Sequence, residues 1–363
     1  MTTLFVGDAH VGNHVRLGGA RVAGINERCA QHVAALEEAA ALASGMGAAV
    51  VLAGDLLDKA TSSPQVVAAA MGALRGAAHG SVVCLGNHDR VSSAEGDHGL
   101  APLLYQEGVR IVASPTTVEM PDGLRVGVLP YSPTNRRGWL LEAVGELDGR
   151  VDALVAHCGV EHSRANQHLV GGADAAPVRE IQKACSMVGA KGAFFGHHHV
   201  PWDVLTKGAP FVIQLGALVP LGWGEQGPRY GGVWSWDGVG APERTEIPGP
   251  RFYRATYRRG ALGKTLLSRE GYPARVEVTC TVEEEAAATS EAEVAMERAK
   301  GDLTVLVLPE TVSALETHKE AVAAVAAGGE SGLQAYVDAR PLPAGVSRAA
   351  LHSAVAEYLG GAG

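Results

Sequence analysis

Leu85-Gly86-Asn87-His88-Asp89 follows the apolar run Ser81-Val82-Val83-Cys84. A run of β-formers that stops at a glycine and then presents an amide, an imidazole and a carboxylate reads as a buried strand delivering a polar loop at its C-terminal end. Open α/β sheets place their ligand sites at that end. Taken alone, Gly-Asn-His-Asp is equally compatible with an ordinary Asx-type turn. An apolar strand opening into Asp or His recurs four more times along the chain, and the repetition favours a site.

In chain order, residues 2–6 predict a strand ending in Gly7-Asp8-Ala9-His10. Between residues 22 and 46, Ile25, Cys29, Val33, Leu36, Ala40 and Ala43 fall at helical spacing, so one face packs on a sheet. Residues 48–53 are all apolar, as in strands covered on both faces, and open into Gly54-Asp55-Leu56-Leu57-Asp58. Pro64 starts a helix that runs to about residue 78, before the strand at 81–85. Strands are expected at 109–113, 116–119 and 124–129, then a helix near 139–144. Residues 151–156 deliver His157-Cys158-Gly159, and a helix at 176–188 leads to Gly192-Ala193-Phe194-Phe195 and Gly196-His197-His198-His199. Segments 203–206, 210–215 and 232–236 alternate with glycine turns and suggest a second sheet of antiparallel hairpins.

Glu246-Ile247-Pro248-Gly249-Pro250 breaks any element and marks a boundary. The expected division is residues 1–248, a small α/β appendage at 251–340, and a tether and helix at 341–363. In the appendage, strands are expected at 252–257, 275–281 and 304–308, with helices near 291–299 and 312–327. Leu351, Val355 and Leu359 form an apolar stripe on a final helix at 348–359, which must lie on its own domain or in a partner's groove. The preceding Pro341-Leu342-Pro343-Ala344-Gly345 reads as a tether and favours the partner.

Composition narrows the class. The chain has 363 residues, enough for two domains, and its 47% hydrophobic content supplies a core. Its five cysteines are scattered, with no Cys-x-x-Cys pair, so neither a disulfide framework nor a thiolate zinc site is expected. No apolar run approaches the ~18 residues of a membrane span, and the start of the chain enters a strand directly, so a cytoplasmic location is expected. A net charge of −9 argues against a general polyanion binder; a nucleic-acid substrate would need local charge or a partner.

Five strand-end loops supply Asp8 and His10, Asp55, Asn87 and His88, His157, and His197 and His199. Without His88, these are two carboxylates, an amide oxygen and four imidazoles, a set with room for two divalent metals. On an extended segment, residues two apart point the same way, so Asp8 with His10 and His197 with His199 can bind one ion or flank two. Asp55 can bridge. Nitrogen and oxygen ligation without sulfur suits Mn²⁺, Fe²⁺ or Zn²⁺, and paired metals clamp both attacking and leaving oxygens of a phosphoryl transfer. His88 is then free for acid work or for stabilising the departing oxygen.

Plainer readings apply to the neighbours. Asp58 and Asp89 hold loop geometry or orient a ligand histidine. His198 alternates away; His162 and His168 sit in a polar loop; His14, His32 and His79 are solvated or lie on a helix face. Cys158 faces away from His157, which disfavours a Cys/His nucleophile. Trp202, Trp223, Trp234 and Trp236 are core or hairpin packing.

Asp-x-His, Gly-Asp-x-x-Asp, Gly-Asn-His-Asp, a lone His and Gly-His-x-His, in this order, resemble the five blocks of the calcineurin-like metallophosphoesterases over residues 3–200. Three further stretches resemble the SbcD-type DNA repair nucleases and their phage recombination counterparts. They are Gly54 to Ala60 with Ser63-Pro64, Leu215-Gly216-Ala217 leading to Gly224-Glu225-Gln226-Gly227 and Tyr230-Gly231-Gly232, and Ile247 to Phe252.

The resemblance implies an α/β fold: a two-sheet metallophosphoesterase sandwich flanked by helices, with a small C-terminal capping domain. It implies Asp8, His10 and His199 on a first metal, Asn87, His157 and His197 on a second, Asp55 between them and His88 as the catalytic histidine. It further implies a Mn²⁺-dependent exonuclease and endonuclease acting on DNA ends, working as a homodimer with an SMC-like ATPase of the SbcC type. A cyclic-nucleotide or nucleotide phosphodiesterase and a non-catalytic scaffold remain as alternatives. The densest positive cluster, Arg244, Arg251, Arg254, Arg258 and Arg259, sits where a cap would meet a duplex; the alternative is a strand edge blunted by charge.

Overall fold

The computed structural model describes residues 2–14, 19–92, 94, 96–132, 138–161, 175–205, 208–222, 225, 231–260, 274–298 and 303–309. Two six-stranded sheets stack face to face. The first runs Glu243–Glu246, Gly232–Trp236, Thr3–Val6, Ala49–Leu52, Ser81–Cys84, Val109–Val112. Its last four strands are parallel and its first two antiparallel. The second runs Trp202–Val204, Phe211–Gln214, Gly192–Gly196, Ala153–His157, Arg125–Leu129, Thr116–Glu119, with four parallel strands between two antiparallel edges.

Alternation along each strand explains why the central strands are apolar throughout. Leu4, Val6, Val50 and Leu52 point outward under the helices Glu27–Gly45 and Pro64–Leu74, while Phe5, Val51 and Ala53 point into the space between the sheets. There Phe5 stacks on Phe194 of the second sheet at 3.8 Å between ring centroids, and Phe211 and Trp236 close around them. The outer face of the second sheet packs under Trp139–Ala143 and Val178–Val188 through Leu154, Ala156 and Phe195. Both faces of both sheets are therefore covered, which is the α/β sandwich the motifs imply.

Several local expectations shift. The three segments read as a hairpin sheet divide between the sheets: Trp202–Val204 and Phe211–Gln214 form one edge of the second, whereas Gly232–Trp236 pairs with Thr3–Val6 in the first. Turn signals set the hairpin but carry no information about which sheet a strand joins. The first helix starts at Glu27, capped by the Asn26 side chain, and the two residue pairs before it form a small hairpin.

After Pro250 a three-stranded parallel sheet of Arg251–Thr256, Ala274–Cys280 and Leu303–Pro309 carries the helix Glu285–Arg298. It has its own core, with Val276 and Val278 against Ala288, Ala292 and Ala295. The helix begins earlier than its apolar spacing suggests, because Thr281 and Glu284 form a capping box just ahead of it. The Arg28 guanidinium lies 5.2 Å over the Phe252 ring and joins this sheet to the first helix. The expected helices at 312–327 and 348–359, the tether at 341–345, and His162, His168 and Trp223 lie outside the described residues. Among the described residues, no helix is long and apolar enough to cross a membrane.

Candidate metal centre

Loops at the C-terminal ends of strands from both sheets converge on one edge of the sandwich. They are tied to each other by main-chain bonds. Ala9 and His10 N–H both donate to Asp55 O at 3.1 and 2.9 Å, and Val11 N–H donates to Leu56 O. His88 N–H donates to Asp55 Oδ1 at 2.8 Å, and His197 N–H donates to Asp8 Oδ1 at 2.7 Å. His10, Asp55 and His197 adopt positive φ of 43°, 49° and 81°, rarely populated by residues with a Cβ. The paired residues therefore do not converge through strand alternation, as expected from their spacing. Left-handed turns just beyond the strands aim them.

Seven side chains come together as the sequence reading anticipates. His10 Nε2 and His199 Nε2 lie 2.9 Å apart beside Asp8. Asn87 Oδ1 lies 3.0 Å from both His157 Nε2 and His197 Nδ1. Asp55 Oδ2 lies between the two groups, 3.3 Å from His157 Nε2 and 3.7 Å from His10 Nε2. Three sets of donor atoms within 4.8 Å of one another result: Asp8, His10 and His199; Asp55, His157 and His197; and His10, Asp55 and His88. His88 stands exposed on the rim with Nδ1 donating to Asp58 O at 2.6 Å, so its Nε2 is the free end.

The electrostatics show what the cluster lacks. Burial pushes the Asp8 carboxyl up against the pull of His157 and His199. Burial would also raise Asp55, but His157 and His10 hold it well below the usual carboxylate range. Burial opposes charge on His157, yet Asp55 and Asp8 outweigh it and push the imidazole up to about 9. In His199 the same opposition is won by Glu225 and Asp8, to about 8. Burial lowers His10 well below its ordinary value, and burial with the His157 charge lowers His197 to about 3. Asp8 Oδ2 and His10 Nδ1 are buried with no hydrogen-bond partner. A buried set of carboxylates and imidazoles with an orphaned carboxylate oxygen fits divalent cations, which would satisfy those lone pairs.

Asp89 is fully buried and accepts from Leu57 N–H at 2.9 Å, Gly86 N–H at 3.0 Å and Leu56 N–H at 3.4 Å, clasping two of the loops. Asp58 Oδ1 lies 4.0 Å from His10 Nδ1 and 3.6 Å from His14 Nδ1, behind the donor set. His198 packs against Gly159 and stacks its ring on that of His197, 5.3 Å between centroids, and it is in none of the three donor sets. Two expectations are corrected. His32 is fully buried, with Nδ1 donating to Ala9 O at 2.7 Å, so it braces the first loop rather than facing solvent. Arg251 is 1% exposed; its guanidinium donates to the carbonyls of Ile247, Gly249 and Pro250 and to Glu246, so it stitches the boundary segment and does not meet a duplex. Arg258 and Arg259 are exposed, and Arg244 is half-buried. Two residues given no role by the motifs border the site. Glu225 Oε1 accepts from His199 Nδ1 at 2.6 Å, and the Tyr131 ring lies 6.0 and 6.2 Å from those of His197 and His157. Neither lies within a ligand block, so spacing offered no signal for them.

The sandwich and this donor set define a class, the metal-dependent phosphoester hydrolases. A family model described as calcineurin-like phosphoesterase matches residues 1–201, more than half the chain, and the chain belongs to that family. No curated protein matches it. Among solved structures, TT1561 of Thermus thermophilus is similar at 15% identity and a TM-score of 0.42, over 68% of this chain and 98% of that one.

Proposed function

We propose that this phosphoesterase is a two-metal phosphodiester hydrolase acting on DNA ends, the nuclease subunit of a repair or recombination complex. Asp8, His10 and His199 would hold one divalent cation, Asn87, His157 and His197 the other, with Asp55 shared. Mn²⁺ is the cation that the SbcD-like resemblance implies, and it is one of those that nitrogen and oxygen ligation accommodates. When bound, the cations supply charge that stabilises the attacking and leaving oxygens of the phosphodiester. His88, hinged on Asp58 O and free at Nε2, donates a proton to the departing oxygen.

The observation that supports a macromolecular substrate is the separate three-stranded sheet beyond Pro250, with its own core and with Arg258 and Arg259 exposed just past its first strand. A small phosphoester needs no second unit to hold it. The SbcD-like stretches add the subfamily, and with it a homodimer and an SMC-like ATPase partner. Side-by-side assays with Mn²⁺ on linear duplex DNA, bis(p-nitrophenyl) phosphate and a cyclic nucleotide test the reading. Degradation of the duplex from its ends supports it. Turnover of the cyclic nucleotide without DNA cleavage refutes it in favour of a small-substrate enzyme, and no turnover of any substrate favours a scaffold. For the partner, deleting residues 346–363 should abolish co-purification with the ATPase while leaving Mn²⁺-dependent activity intact. Retained co-purification would refute docking through that segment.

A further inference from the structure

We propose that Glu225 is a positioning residue for the half-site of Asp8, His10 and His199, fixing the tautomer and aim of His199 and so setting how tightly that half-site holds a divalent cation; the inference rests on the two-metal reading above. Glu225 uses both carboxylate oxygens: Oε1 accepts from His199 Nδ1 at 2.6 Å and Oε2 accepts from Leu221 N–H at 2.6 Å. An imidazole that donates from Nδ1 presents the lone pair of Nε2, and His199 Nε2 is the atom that meets His10 Nε2 at 2.9 Å. A carboxylate on the outer nitrogen also makes the inner one a stronger donor than a neutral acceptor does.

His199 differs from His157 and His10 in this respect. The outer nitrogen of His157 donates to a neutral carbonyl, that of Ala53, at 2.7 Å. The carboxylate nearest the outer nitrogen of His10, Asp58, is 4.0 Å away, beyond hydrogen-bond distance. The segment leading to Glu225 is itself anchored on the ligands' main chain. Ala217 N–H donates to His199 O at 3.0 Å and Leu218 N–H to Asp8 O at 2.9 Å, while the buried Arg28 guanidinium holds Pro220 O. Glu225 thus reaches His199 from a segment already registered on the half-site it would tune.

The test is Mn²⁺ titration of the chelator-stripped full-length chain by calorimetry, with Mn²⁺ electron paramagnetic resonance to separate single from paired ions. Wild type, Glu225→Ala and Glu225→Gln are compared, each checked for folding by circular dichroism. Two Mn²⁺ are expected in wild type. Glu225→Ala should weaken one of them by about 10- to 100-fold and leave the other within about twofold. Glu225→Gln, which still accepts from Nδ1–H, should recover part of the loss. Should the alanine variant fail to fold, the glutamine variant carries the test alone through a several-fold loss, roughly, confined to one ion. Equal weakening of both ions without rescue, or no weakening in either variant, overturns the proposal while the two-metal reading stands. A wild-type protein that binds fewer than two Mn²⁺ removes that reading, and the proposal with it.

Discussion

Two glycine-to-alanine substitutions should act with opposite signs, because the structure places different atoms where each new methyl would stand. At Gly86 a Cβ would lie 2.0 Å from Asp55 Oδ1 and 2.3 Å from Asp55 N. One of those atoms is backbone, so rotating a side chain cannot relieve the overlap. Restoring an ordinary 3.4 Å contact demands a displacement of about 1.4 Å between the loops that carry Asp55 and Asn87. That movement breaks the bond from His88 N–H to Asp55 Oδ1, now 2.8 Å, a charge-assisted bond worth about 1.5–3 kcal/mol. Overpacking adds about 1–3 kcal/mol. The total expected loss is about 2.5–6 kcal/mol of stability, and both Mn²⁺ affinities should fall, since Asp55 serves both donor groups. At Gly72, inside the helix Pro64–Leu74, no atom lies within 4 Å of the new Cβ, so alanine should stabilise by about 0.5–1 kcal/mol through helix propensity alone. Urea denaturation of the chelated variants gives both signs, and Mn²⁺ calorimetry gives the affinities. A Gly86→Ala protein within about 0.5 kcal/mol of wild type would show that the two loops are not in contact, and the geometry of the centre described above would be wrong.

Phe194→Ala removes one partner of the stacked pair between the sheets and should cost about 3–5 kcal/mol in urea denaturation; a loss under about 1.5 kcal/mol would mean the sheets do not share that core. His88→Ala should keep both metals and lose hydrolysis, since the ring is anchored on Asp58 O and reaches the rim; elemental analysis showing clearly less metal would make His88 a ligand through its set with His10 and Asp55. Metal uptake should release protons below about pH 8, because His157 and His199 hold theirs to about 9 and 8 and must give them up to bind. Each ion's affinity then rises with pH, by roughly one logarithmic unit per pH unit between about pH 6 and 7.5, since the two histidines serve different ions. Calorimetry in buffers of different ionisation enthalpy counts those protons, and a pH-independent affinity would refute the assignment. The same protons stabilise the chelated fold: the His157 contribution is full below its unfolded value near 6.5 and is lost as pH rises through about 9.

The chain's local chemistry determined most of the site by itself. A strand covered on both faces must be apolar throughout, so each run that stops at Gly or opens into Asp, Asn or His announces both its burial and the loop it delivers. That is why Asp8, His10, Asp55, Asn87, His157, His197 and His199 are legible as a set, and why the parallel strands coincide with the apolar runs. What depended on distant partners was not legible. Trp234 and Ser235 look like part of any hairpin strand, and only pairing with Phe5 and Leu4 puts them in the first sheet. His32 on an alanine-rich helix carries no mark of the Ala9 carbonyl it meets. Arg251 reads as one of a basic run, yet four acceptors in the segment before it turn its charge inward. The positive φ of His10, Asp55 and His197 arises because bonds between loops hold each turn in place, and Glu225 finds His199 across 26 residues of chain. Periodicity and turn chemistry act within a few residues, whereas burial, strand partnership and the aim of a side chain are decided by atoms that folding alone brings together.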